Sequence, residues 1–167
     1  EVWAVAQKVA KEKYNLDVEV VTFNDFVLPN EALNNGDLDA NAFQHKPYLD
    51  KQIQERGYKL VQVGTTFVYP IAAYSKKISS VDQLPDGAQV AVPNDPTNLG
   101  RSLLLLQKQG LITLKEGTGL LPTSLDIINN PKNLKIVEIE APQLTRALDD
   151  QQITMAIINT TFSSQVG

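Results

Sequence analysis

The chain has 167 residues, is 43% hydrophobic and 20% charged, and carries a formal net charge of -4, the size and balance of one ordinary globular domain or two small lobes. The acidic balance argues against a nucleic-acid partner, because phosphate binding needs a basic face. Without cysteine there is no disulfide framework, thiolate metal site or thiol nucleophile, and no apolar run approaches the roughly 18 residues of a membrane-spanning helix.

Residues 1–13 read as a helix, with Val2, Val5, Ala6, Val9 and Ala10 at helical spacing and no capping residue ahead. The uncapped start leads to the expectation that the chain is a piece of a longer one, with any targeting segment upstream. Asn15 suits a left-handed helix end. Residues 18–23 are rich in β-branched side chains and predict a strand, broken by Asn24-Asp25. Pro29 opens a short helix that Asn34-Asn35-Gly36 closes, residues 38–43 predict a second short strand, and Pro47 starts a helix that ends at Gly57. The extended run 58–74 is too long for one strand and predicts a strand, a crossing segment and another strand.

The pattern then restarts. Ser80-Val81-Asp82-Gln83 resembles a capping box ahead of a short helix. A strand is expected at 89–92, a helix from Asp95-Pro96 to Gly110, and a helix over 123–129. A strand at 134–139, a helix at 142–149 and a strand at 153–158 follow. The alternation predicts mostly parallel sheets with helices on both faces. The expected division is a partial first lobe (1–67), a second lobe (68–158) and a crossover back toward the first (159–167). The second lobe reads as complete and the first as incomplete.

Two clusters carry the chemistry. In Asp95-Pro96-Thr97-Asn98-Leu99-Gly100-Arg101 a helix start offers unpaired N–H groups and a positive dipole end. Arg101, one turn in, can clamp a carboxylate with two parallel bonds, and Asn98 supplies donor and acceptor together; a capped surface helix with an exposed arginine is the alternative. In the second cluster, Phe43, His45 and Tyr48 fall within a few residues, and Phe26 precedes them. These aromatics either wall an apolar pocket or pack in the core. The lone His45 either hydrogen-bonds a ligand or serves as a structural residue or helix cap, since a metal site or triad would need partners that are absent. Asn159 ends the last apolar strand, where open α/β folds place ligand groups, or is a turn residue. Asp149-Asp150 and Lys76-Lys77 read as solvated loop and turn, and Gly117-Thr118-Gly119 lacks the Lys-Ser/Thr of a phosphate loop. Together the clusters suit a small zwitterion with an apolar tail, with no catalytic residue, cofactor or metal.

The segments Asn41-Ala42-Phe43-Gln44-His45-Lys46-Pro47-Tyr48-Leu49, Thr66-Phe67-Val68-Tyr69-Pro70 and Val92-Pro93-Asn94-Asp95-Pro96-Thr97-Asn98-Leu99-Gly100-Arg101 stand in this order and closely resemble the NlpA family of substrate-binding lipoproteins. The resemblance runs along essentially the whole chain. It implies a two-lobed α/β binding protein of the periplasmic type II class, held to a membrane by an N-terminal lipid, that binds methionine between its lobes for a permease and ATPase. It places Phe26, Phe43, His45 and Tyr48 on the first lobe's side of the pocket and Asn98 and Arg101 on the second's, with Arg101 on the ligand carboxylate and Asn159 at the crossover. Phe26 departs from the family pattern, which has tyrosine there. The family's lipid-bearing cysteine, first strand and C-terminal return are expected outside this chain. The intact protein is expected as a monomer, and domain swapping is an option for a piece of it. The rival reading is a metabolite-sensing effector domain of a regulator. An enzyme would need a nucleophile or acid–base pair at the cleft.

Overall fold

The computed structural model describes residues 2–164. Three helices come first, α1 (Val2–Tyr14), α2 (Leu28–Asn35) and α3 (Lys46–Arg56). Local signals set their ends. Prolines occupy the first turns of α2 and α3, where a missing N–H costs nothing. Gly36 closes α2 at φ 86°, its amide reaching back to the carbonyls of Ala32 and Leu33. Asn15 takes the left-handed region at φ 50° after α1. Glu1, expected in that helix, lies outside the described residues, as do residues 165–167 of the expected crossover.

The strands expected over 18–23, over 38–43 and in the first part of 58–74 do not form. Val20, Val21, Val61 and Val63 are instead exposed. β-Branched residues favour a strand only where a neighbouring strand and a buried face receive them, and among the described residues these segments have neither.

Among the described residues the six strands all lie further along: β1 (Ile71–Tyr74), β2 (Gln89–Pro93), β3 (Thr113–Leu114), β4 (Ile127–Asn129), β5 (Lys135–Ile139) and β6 (Ile153–Asn159). They alternate with α4 (Pro96–Lys108), α5 (Leu144–Ala147) and α6 (Thr160–Ser163). The main sheet has the order β1-β6-β2-β5; β2 runs parallel to β5 and β6, and β1 antiparallel to β6. β3 and β4 form a separate antiparallel ribbon. That ribbon takes the last three residues of the helix expected over 123–129. Thr123 and Asp126 do form a capping box, but the turn it opens is a short 3-10 helix, because Ile127 pairs with Leu114. The capping motif at Ser80 likewise opens a 3-10 turn, Val81–Gln83, and the helix expected at 142–149 divides into a 3-10 turn, Ala141–Gln143, and α5.

The central strands are covered on both faces, which is why they read as continuous apolar runs. Val90 and Val92 join Met155 and Ile157 against Leu99, Leu103 and Leu106 of α4. Ala91, Ala156 and Ile158 face the other way, onto Leu144 of α5 and Phe162 of α6. Ile153 joins this second layer although strand alternation from Met155 would put it in the first. The register shifts between Gln89 and Val90, which pair with Ile153 and Met155. Thr154 is thus the extra residue of a bulge that reverses the side-chain faces.

Beyond Asn159 the chain enters α6 at once. The amide and hydroxyl of Thr160 both donate to the Pro70 carbonyl at 3.1 Å, and α6 turns Phe162 under the sheet. Lys77 is not a bare solvated turn, since its ammonium donates to the carbonyls of Asp150, Gln151 and Ile153 and staples the exit of β1 to the entry of β6.

Gly100 sets how closely the loop before the 3-10 turn approaches α4. A Cβ built there would lie 2.4 Å from the Leu120 carbonyl oxygen and 3.2 Å from Pro122 Cδ. Both obstacles belong to restrained backbone or a proline ring, so neither can swing aside. Gly100→Ala is therefore expected to destabilise the fold by about 1–3 kcal/mol, read from the midpoint of urea unfolding.

Candidate functional site

The carboxyl ends of β2 and β6 lie side by side, and the first turn of α4 rises from them. Asp95 caps that helix: its carboxylate accepts from the Asn98 amide at 3.0 Å and from the Thr97 hydroxyl at 2.9 Å. The helix start is therefore already occupied by a carboxylate, and an incoming anion must be met by side chains. Arg101 is placed for that role. Its guanidinium donates to Asn98 Oδ1 at 3.0 Å and to the Tyr69 carbonyl at 2.9 Å. With five N–H donors on the group, others remain for a ligand.

The orientation of the two buried amides follows from their neighbours. Asp95 only accepts and Arg101 only donates. Asn98 must then turn its Nδ2 to Asp95, at 3.0 and 3.1 Å, and its Oδ1 to Arg101. Asn159 meets that same oxygen with its own Nδ2 at 3.0 Å. What is left over is Asn159 Oδ1, buried and without a hydrogen-bond partner among the described residues. An orphaned acceptor in a 5%-exposed side chain calls for a donor from outside the chain.

The opposite wall is aromatic. Phe26 and Phe43 stack with ring centroids 6.2 Å apart, and Phe26 also meets Phe162 at 4.9 Å. His45 precedes α3 in an extended conformation and makes no side-chain capping bond, so its ring is available to the cleft. Tyr48 is placed differently from the expectation. It packs edge-on to Phe26 and Phe43, its hydroxyl donates to the Phe26 carbonyl at 2.7 Å, and it lies behind the wall.

Six of the seven expected residues line one cleft: Phe26, Phe43, His45, Asn98, Arg101 and Asn159. Gln44, Phe67, Tyr69 and Thr161 complete it. Phe67 and Tyr69 form a T-shaped pair at 4.8 Å. Both stand in a motif quoted above, which could have indicated them; Thr161 gave no signal. The space between the walls, with the open solvent at its mouth included, is about 420 Å³.

Burial lowers the pKa of His45, the Arg101 charge lowers it further, and Asp95 opposes the shift. Burial likewise works against the Arg101 charge while Asp95 supports it, and burial pushes the Tyr48 phenol upward. The site at neutral pH thus holds one cation, a neutral imidazole and a free carbonyl acceptor beside stacked rings. This set can bind an anion, a hydrogen-bond donor and an apolar group together.

A profile of the NlpA lipoprotein family matches residues 1–167. The chain belongs to the NlpA lipoprotein family. It is 80% identical over 163 residues to the D-methionine-binding lipoprotein MetQ of Salmonella typhimurium, a match covering 98% of this chain and 60% of that protein. The structure superposes on the crystal structure of the methionine-binding protein MetQ with a TM-score of 0.98 at 76% identity, over 99% of this chain and 68% of that one. A nutrient-binding protein from Burkholderia cenocepacia bound to methionine matches with a TM-score of 0.94 at 56% identity, over 98% and 68% of the two chains. The NlpA chain described here accordingly has the periplasmic type II binding-protein fold. It spans about 60% of the length of the curated relatives it matches.

The single histidine makes the site's electrostatics directly measurable. A depressed pKa in the folded state means that the unfolded chain takes up the proton first as pH falls. Stability should therefore decline as pH drops through the ordinary histidine value of 6.5 and level off once His45 itself is protonated. We expect an NMR titration of the imidazole with a midpoint below 6.5, and His45→Gln should remove that part of the pH dependence of unfolding.

Proposed function

We propose that the protein binds methionine in the cleft as the substrate-binding component of an ABC importer. The observation that carries this reading is the pair formed by Arg101 and the unpartnered Asn159 Oδ1 on the polar wall of the cleft. Arg101 receives the α-carboxylate as a charge-assisted donor, and the Asn159 oxygen receives the α-ammonium. Asn98 is the amide that holds both. The thioether tail lies along Phe26 and Phe43, where sulfur–aromatic contacts are favourable, with His45 at the mouth of α3 and Tyr48 setting the ring positions from behind. The names of the relatives and the methionine bound to the Burkholderia protein support the same ligand.

In this reading residues 1–67 and 68–158 belong to two lobes, and 159–167 return toward the first. Ligand between them favours a closed state that the permease and ATPase subunits recognise. The protein binds and hands over methionine without making or breaking bonds in it. The lipoprotein family supports a lipid anchor that keeps the protein at the membrane surface facing the periplasm. Among the described residues no helix is long and apolar enough to cross a membrane.

Calorimetric titration with L-methionine and D-methionine, with glutamate as the control, tests the reading. Binding of methionine and not glutamate is expected. Arg101→Ala should weaken it by about 2–4 kcal/mol, the scale for truncating one partner of a buried charged pair. Unchanged affinity in that variant would remove Arg101 from the site, and turnover of the ligand would replace the binding role with an enzymatic one.

A further inference from the structure

Residues 38–45 carry Phe43, Gln44 and His45 into the cleft, yet they form no strand and pair with no sheet. Something other than a backbone ladder must hold this wall. The structure provides a ring of amides. Asn30, on the first turn of α2, is fully buried at 0% exposure. Its Nδ2 donates to Gln44 Oε1 at 2.8 Å, and its Oδ1 accepts from Gln44 Nε2 at 2.7 Å and from Asn41 Nδ2 at 2.9 Å. Asn41 Nδ2 also donates to the Pro29 carbonyl at 3.0 Å. That carbonyl can only accept, so it fixes Asn41, and Asn41 in turn fixes which way Asn30 and Gln44 face. Just ahead of α2, the Asp25 carboxylate accepts from the Val27 and Leu28 amides.

We propose that Asn30 is a positioning residue for the methionine site, holding Phe43, Gln44 and His45 at their places in the cleft without touching the ligand. The proposal rests on the methionine reading given above. A buried side chain offering donor and acceptor together is needed here, because Gln44 presents both groups to it. An apolar residue at 30 leaves Gln44 Oε1 without its partner and Gln44 Nε2 with only the longer bond to Asn41 Oδ1, 3.3 Å. Gln44 then rotates toward water in the cleft, and the segment on either side moves with it. The imidazole leaves the surroundings set by Arg101, Asp95 and the Tyr48 ring.

The test compares the unaltered chain with Asn30→Ala and Asn41→Ala. Each is measured for methionine affinity by calorimetry, for the His45 titration midpoint by NMR, and for folding by circular dichroism. Asn30→Ala is expected to fold, to lose at least tenfold in affinity and to show a His45 midpoint shifted up toward that of a free imidazole. Asn41→Ala leaves the reciprocal Asn30–Gln44 pair in place, so it should move both readouts in the same direction by less. If Asn30→Ala does not fold, Asn41→Ala decides alone. Affinity within twofold of the unaltered chain, or lost affinity with an unmoved His45 midpoint, overturns the proposal. Failure of the unaltered chain to bind methionine would instead count against the methionine reading, and the His45 midpoints would still judge the amide ring.

Discussion

One side-chain amide, that of Asn98, joins the parts of the site. Its nitrogen is bound to the Asp95 carboxylate that caps α4, and its oxygen receives both Arg101 and Asn159. The helix start, the cation and the end of β6 are thereby referred to a single planar group. The consequence is directional. Because one neighbour can only accept and another only donate, every donor and acceptor around Asn98 has one permitted arrangement, and the acceptor left over on Asn159 is a product of that arrangement. A binding site with such fixed polarity is preorganised, and little ordering remains for a ligand to impose.

The sheet makes this convergence possible. β2 and β6 run parallel and adjacent, so Asn98, in the first turn of α4 beyond β2, and Asn159, the last residue of β6, come within one hydrogen bond although 61 positions separate them. Open α/β sheets place ligands at such ends. β1 enters antiparallel to β6 with Ile71 opposite Asn159, which brings Tyr69 and Pro70 to the same place. Their carbonyls take Arg101 and Thr160 respectively. The two segments that run out of the sheet are therefore tied to the entry of β1, α4 through the Arg101 guanidinium and α6 through the amide and hydroxyl of Thr160.

The parts of this architecture that were legible in the sequence are those whose cause is local. A proline at the start and a glycine or asparagine at the end define α2 and α3, and Asp95-Pro96 defines α4, whatever lies around them. Arg101, Asn98 and the aromatic run stood out because several unlike side chains were compressed into short segments. Strand pairing is not local, and residues 18–23 and 58–68 show its limit: their composition suits a pleated surface, but no neighbouring strand among the described residues receives them. Tyr69 escaped selection for a related reason. It contributes a main-chain carbonyl as well as a ring, and a carbonyl has no signature in a sequence. Tyr48 was expected on the pocket wall with Phe26 and Phe43, but its hydroxyl is held by the Phe26 carbonyl, 22 positions away, which no local pattern announces.

The bulge at Thr154 has a consequence for how the chain tolerates change in length. Upstream of it, the turn between α5 and β6 is exposed, and a residue gained or lost there alters only the loop. At Thr154 the count itself is structural: it sets whether odd or even positions of β6 serve the α4 layer. Drawing Thr154 into a regular ladder would turn Ile153 away from Leu144 while Met155 to Asn159 kept their places, whereas deleting Thr154 would set Ile153 directly before Met155 and leave it on the Leu144 layer. The spacing between the loop and the strand therefore carries as much information as the residues themselves.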